Sequence, residues 1–353
     1  MTPLATRIAG LIRETGPMTI TEYMQMCLFD PEHGYYATRD PFGESGDFIT
    51  APEVSQMFGE LIGLAVAQSW MDQGAPSRFS LVELGPGRGT LMADLLRATA
   101  RIPGFHDAAE IHLVEASPTL QGVQSQTIPL DVMHHSSLGS VPSGPIFLVA
   151  NEFFDALPIR QFIRDGDGWR ERVIGFADGQ LLFGLTDKSE RPELSHRIDD
   201  TQDGDLVEIC PQAKTIAAEV GARIDASGGI ALFIDYGDWR SLGDTFQALK
   251  NHTSLPPLEA PGLSDLTAHV DFEAIATAAD PAQHARLTPQ GVFLERLGIV
   301  ERARALAGSL SGKALDDHIA AHRRLTHPDE MGTLFKVMAL FPKDAPIPPG
   351  VMA

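Results

Sequence analysis

Residues 80 to 90 read Ser80-Leu-Val-Glu-Leu-Gly-Pro-Gly-Arg-Gly-Thr90, an apolar run that closes on an acid and three alternate glycines. Ser80 to Leu84 is too short for a helix and reads as a buried strand, while Leu91-Met-Ala-Asp-Leu-Leu-Arg97 begins a pattern of helical period. The glycines therefore fall on a strand-to-helix turn, where the missing Cβ permits unusual φ/ψ and lets a ligand lie on the backbone. Dinucleotides and S-adenosylmethionine (SAM) both use such turns. A dinucleotide fingerprint, G-x-G-x-x-G/A, needs Gly or Ala where this chain has Thr90. The pattern here is E-x-G-x-G-x-G, with Glu83 two residues ahead of the first glycine. A carboxylate there suits a ligand carrying an ammonium group, as the methionine end of SAM does, and suits a pyrophosphate poorly.

Downstream, strand and helix patterns alternate, which predicts an α/β fold with a doubly wound sheet. Ile111-His-Leu-Val-Glu115 is a second apolar run tipped by an acid, and an acid at that position accepts the cofactor's ribose hydroxyls in such sheets. Leu130 to His134 gives a weak third strand. Pro145-Ile-Phe-Leu-Val-Ala150 is the clearest buried strand and empties into Asn151-Glu-Phe-Phe-Asp-Ala-Leu-Pro158. Ligands of open parallel sheets sit at the carboxyl ends of strands, so Asn151, Glu152 and Asp155 are expected at the reacting centre. Ile230-Ala-Leu-Phe-Ile-Asp235, followed by Tyr236, is another acid-tipped strand on the same rim.

Outside this core, Leu4, Ile8 and Ile12 mark a helix stopped by Gly16-Pro17, and Thr19 with Glu22 has capping-box spacing for the next one. Gly46-Asp-Phe-Ile-Thr-Ala-Pro-Glu53 mixes polar and apolar residues ahead of a helix from about Ser55 to Trp70, which suits a lid over the cofactor bearing Asp47 and Thr50. Residues 160 to 190 break the rhythm and read as an inserted hairpin turning at Asp178-Gly179. Residues 1–75 are thus expected to form a helical N-terminal region, and 76–353 the catalytic domain with an insertion at about 160–205. Leu334 to Phe341 looks like a closing strand. His318 and His322 lie one helical turn apart without an H-E-x-x-H context, and no metal is assigned.

The charge bears on the partner. With 27 basic against 47 acidic residues, net −20, nucleic acid is disfavoured and a cationic substrate segment is favoured. Cys27 and Cys210 are far apart and lack metal-ligand spacing. With no apolar signal core and no bilayer-length apolar run, a cytoplasmic protein is expected.

The chain resembles the MidA family of class I SAM-dependent methyltransferases. The likeness rests on Asp30-Pro-Glu-His-Gly-Tyr-Tyr36, Gly46-Asp-Phe-Ile-Thr-Ala-Pro-Glu53, Glu83-Leu-Gly-Pro-Gly-Arg-Gly89, Asn151-Glu-Phe-Phe-Asp-Ala-Leu-Pro158, Asp235-Tyr-Gly237 and Leu266-Thr-Ala-His-Val-Asp-Phe272. It implies a Rossmann-like sheet of seven strands with the last antiparallel, and SAM held by Glu83, Gly85, Gly87, Gly89 and Glu115. It also implies that the acceptor is an arginine on the quinone-pocket subunit of NADH:ubiquinone oxidoreductase (complex I), methylated during assembly. Planar guanidinium donors match carboxylates, so Glu152, Asp155 and Asn151 are expected to orient the arginine, with His269 an alternative proton acceptor. A small-molecule methyltransferase and a SAM-binding assembly chaperone remain open; a NAD dehydrogenase is disfavoured by Thr90.

Overall fold

The computed structural model describes residues 1–38, 50–250 and 253–353. The chain forms two compact units. One draws on residues within 1–48, 155–213 and 238–271; the other on 49–154, 214–237 and 272–353.

The second unit is built on a sheet whose path runs Gln283–His284, Phe335–Phe341, Gly229–Asp238, Ile146–Asn151, Phe79–Leu84, Ala109–Val114, Val132–His135. Each of the last five is parallel to its neighbour, and Phe335–Phe341 runs antiparallel to Gly229–Asp238. The path has seven strands, Gln283–His284 being only two residues long, and the two-residue strand Thr288–Pro289 pairs off it against Phe335–Phe341. Helices follow the strands: Thr90–Thr99 after the glycine turn, and Pro118–Thr127, capped by Ser117, after the second strand. Buried parallel strands read as continuous apolar runs because both faces are covered. Here Phe79, Leu81, Phe147, Val149, Ile230, Leu232, Ile234, Val337 and Ala339 alternate into one cluster, joined by Phe58, Ile62, Leu91 and Leu95 from two helices. Those helices, Gln56–Asp72 and Thr90–Thr99, approach closely because Gly59 and Gly63 face the second helix. A Cβ at Gly63 would lie 2.8 Å from the Leu95 Cα.

In the first unit, Pro3–Thr15 buries Leu4, Ile8 and Ile12 and stops at Gly16, φ 93°. Ile20–Phe29 begins with the expected capping box between Thr19 and Glu22. Its Tyr23, Met24 and Cys27 pack with Ile159, Ile174 and Leu266. The expected hairpin is Gly168–Ala177 with Gln180–Leu185, turning at Asp178-Gly179. It belongs to a five-stranded sheet with Arg160–Asp165, Leu206–Ile209 and the short Met18–Thr19, which pairs with Val173 and Ile174. A three-stranded sheet is made by Gln247–Lys250, Thr253–Leu255 and Asp265–Thr267. No helix among the described residues is long and apolar enough to cross a membrane.

Candidate functional site

The glycine turn leaves the carboxyl end of Phe79–Leu84 with Gly85, Gly87 and Gly89 all at positive φ (61°, 53° and 84°), which explains why glycine occupies all three positions. Side chains close in from behind: a Cβ on Gly85 would meet the Phe153 ring at 2.8 Å, and one on Gly89 would meet Ile128 at 3.1 Å. Glu83 is buried in the strand beneath, and its Oε2 has no hydrogen-bond partner among the described residues. Burial pushes its carboxyl up to about 8, with the Met92 N–H offsetting part of that. A buried acid with an idle oxygen at the base of a turn of positive-φ glycines is an arrangement that a cationic ligand would complete.

Glu115 follows the second strand, which ends at Val114. Its Oε1 accepts from the Ser117 N–H at 2.7 Å and its Oε2 lies 3.4 Å from the Gln124 amide nitrogen; burial raises its pKa. Gln124, fully buried on Pro118–Thr127, also donates to the Gly87 carbonyl at 2.7 Å and takes a hydrogen bond from His134 at 3.0 Å.

The strand Ile146–Asn151 lies beside the glycine-turn strand, Ala150 opposite Leu84, so both turns leave the same edge. No helix starts at Asn151; the chain makes a tight turn in which Glu152 sits at φ 50°, strained for a side-chain-bearing residue. Its Oε1 accepts from the Ala51 N–H at 2.9 Å and from the Asn151 amide at 3.1 Å. The Asn151 Oδ1 is buried without a hydrogen-bond partner among the described residues. Asp235, fully buried in the next strand, holds this turn: Oδ2 accepts from the Phe153 and Phe154 N–H groups at 3.2 and 2.9 Å, and Oδ1 from that of Tyr236 at 2.9 Å.

The predicted residues therefore divide. Glu83, Gly85, Gly87, Gly89, Glu115, Asn151 and Glu152 share one sheet edge of the second unit. Thr50 belongs to that unit and stands before the short helix Ala51–Val54 without capping it by its side chain. Glu53 of that helix accepts from the Thr90 hydroxyl at 2.5 Å. Asp155 and His269 belong to the first unit. There Asp155 is buried and its carbonyl accepts from Ala268, while the His269 N–H bonds the Thr245 hydroxyl at 2.8 Å. Asp47 lies outside the described residues. Sequence reasoning missed Gln124 altogether and gave Asp235 no structural task. A lone Gln inside a helix carries no local signal, whereas Asp235 showed itself as an acid at a strand end.

A parallel sheet with an antiparallel closing strand, a glycine turn on its first strand and an acid past its second defines the class I methyltransferase architecture. A family described as "Putative S-adenosyl-L-methionine-dependent methyltransferase" matches residues 61–290. The human protein named protein arginine methyltransferase NDUFAF7, mitochondrial, is 36% identical over 373 residues, covering 97% of this chain and 84% of its own. The Drosophila melanogaster homologue of that name is 36% identical over 374 residues, covering 96% and 85%. A crystallised Burkholderia thailandensis protein bound to S-adenosyl-homocysteine superposes with a TM-score of 0.84 at 28% identity, covering 98% of this chain and 93% of that one. The chain belongs to this family of SAM-dependent methyltransferases.

Proposed function

We propose that this chain is a protein arginine N-methyltransferase acting on the quinone-pocket subunit of NADH:ubiquinone oxidoreductase during assembly. The support is its likeness, across almost its whole length, to relatives whose names state protein arginine methylation. In this reading Glu83, Gly85, Gly87, Gly89 and Glu115 hold SAM, with Asp47 and Thr50 contributing from the N-terminal side. The buried idle oxygen of Glu83 and the three positive-φ glycines fit a ligand that carries an ammonium group. Bound SAM supplies an activated methyl group.

The chain's own residues align and deprotonate the acceptor. The Asn151 Oδ1 and the Glu152 carboxylate are acceptors suited to the N–H donors of a guanidinium. Glu152 orients the attacking nitrogen, and Asp155 is the second carboxylate of the set. One carboxylate takes the proton that nitrogen loses as the new N–C bond forms; His269 is the alternative acceptor. The net charge of −20 favours capture of a basic segment, so capture weakens with added salt. The workplace is the cytoplasm, whereas the relatives carry mitochondrial names.

The test combines labelled SAM, the purified chain and newly made quinone-pocket subunit, with the modified residue located by mass spectrometry. Label on arginine is expected. Its absence would remove the assignment as an arginine methyltransferase, and full turnover by both Glu152→Gln and Asp155→Asn with SAM still bound would remove the roles given to those two carboxylates.

A further inference from the structure

We propose that Gln124 is a positioning residue for the ribose of SAM, fixing the Glu115 carboxylate and the Gly87 carbonyl together, with His134 setting the direction of its amide. The proposal rests on the reading of Glu115 as the ribose acceptor.

The amide has one orientation that works. Its nitrogen faces two acceptors, the Gly87 carbonyl at 2.7 Å and the Glu115 Oε2 at 3.4 Å, so each hydrogen has a use. Turned over, the amide oxygen would face both acceptors with no proton between them. The oxygen must then face the His134 Nε2, 3.0 Å away, and that nitrogen must carry a hydrogen. Burial, with His135 nearby, lowers the His134 pKa, so the ring is neutral and is the Nε2–H tautomer. His134 thus acts on Glu115 only through Gln124.

The consequence reaches two different elements. Glu115 also accepts from the backbone N–H groups of Ser117 and Ala116, both within two residues of it, and neither ties the carboxylate to another element. Gln124 contacts Oε2 and ties it to the glycine turn at a residue of φ 53°. A carboxylate that must accept two adjacent hydroxyls needs its plane fixed, because both hydrogen bonds are directional. Complete burial of Gln124 and its three partners leave little slack for the network to relax.

Calorimetric titration of S-adenosylhomocysteine and of its analogue lacking both ribose hydroxyls tests this without turnover. The unchanged protein should prefer the natural compound by at least about tenfold, the size of a lost hydrogen-bond pair to a charged group. Gln124→Leu should bring that preference within about threefold. His134→Leu should lower it in part, and His134→Gln, which restores a donor, should recover it. Glu115→Gln is the control and should itself erode the preference. If Glu115→Gln erodes it while Gln124→Leu leaves it intact in a folded protein, the positioning role is wrong and the site reading survives. If Glu115→Gln leaves it intact, the ribose assignment falls and takes this proposal with it.

Discussion

Two turns leave neighbouring strands of the same sheet, and they solve the same steric problem in opposite ways. At residues 85 to 89 the backbone enters the left-handed region three times and uses glycine each time. At residue 152 it enters that region once and uses glutamate, held by hydrogen bonds from Ala51 and Asn151 and by Asp235 behind the turn. The glycine turn is permissive, adopting three left-handed conformations without side-chain strain, with a buried acid in the strand that leads into it. The glutamate turn is forced, and what it gains is a carboxylate at a fixed place. Strain of this kind persists only where the surroundings over-determine it.

The largest test of that contrast is Asp235→Ala. Three N–H groups, one buried and two half-buried, lose their acceptor, and the expected loss of stability is about 3–5 kcal/mol by denaturant unfolding. Asp235→Asn keeps one acceptor oxygen and should lose less. A loss under about 1 kcal/mol for the alanine variant would mean that the turn holds itself.

The acid under the glycine turn predicts a pH signature. Folding raises Glu83 from 4.5 to about 8, so in that window the folded protein keeps a proton the unfolded chain has released. Stability from this group is complete below pH 4.5 and is lost as pH rises through about 8, at roughly 1.4 kcal/mol per pH unit. Burial also raises Glu115 and Asp94, which tilt the profile the same way, so the decisive measurement is the difference from Glu83→Gln. That variant should show a flatter stability profile between pH 6 and about 8. An unchanged slope would mean that Glu83 is ionised in the folded protein.

Gly85→Ala should cost about 1–3 kcal/mol, through its φ of 61° and the Phe153 ring in its way. It should weaken SAM binding more than it lowers the melting temperature. Adding Phe153→Ala separates the two causes: recovery measures the clash, and what persists is backbone strain.

Sequence made the glycine turn legible because alternate glycines between an apolar run and a helical pattern have few other uses. It made the acids legible because strand ends in a parallel sheet share one edge. Gln124 was beyond reach, since its three partners come from the glycine turn, the second strand's end and the edge strand, and only the fold assembles them. The strain at Glu152 was equally hidden, because a glutamate after a strand does not announce its φ. The hairpin of residues 168–185 was readable from its Asp-Gly turn, but the pairing of Met18–Thr19 with Val173 and Ile174 joins segments over 150 residues apart.

The smallest expected stability effect is the most pointed. Glu152→Gly relieves roughly 1 kcal/mol of backbone strain, and loses hydrogen bonds from Ala51 and Asn151 worth about as much each. The net change in unfolding free energy should stay within about 1 kcal/mol. Methyl transfer should nonetheless fall by about a hundredfold or more, while SAM affinity measured by calorimetry stays near that of the unchanged protein. Glu152→Gln makes the complementary change, keeping a side chain in the strained position but removing its charge, and should lose turnover as well. If the glycine variant works as well as the parent, the carboxylate has no role in the reaction and the forced turn is a feature of folding alone. If only the glycine variant fails, the side chain's reach matters more than its charge, and Glu152 orients the acceptor without taking its proton.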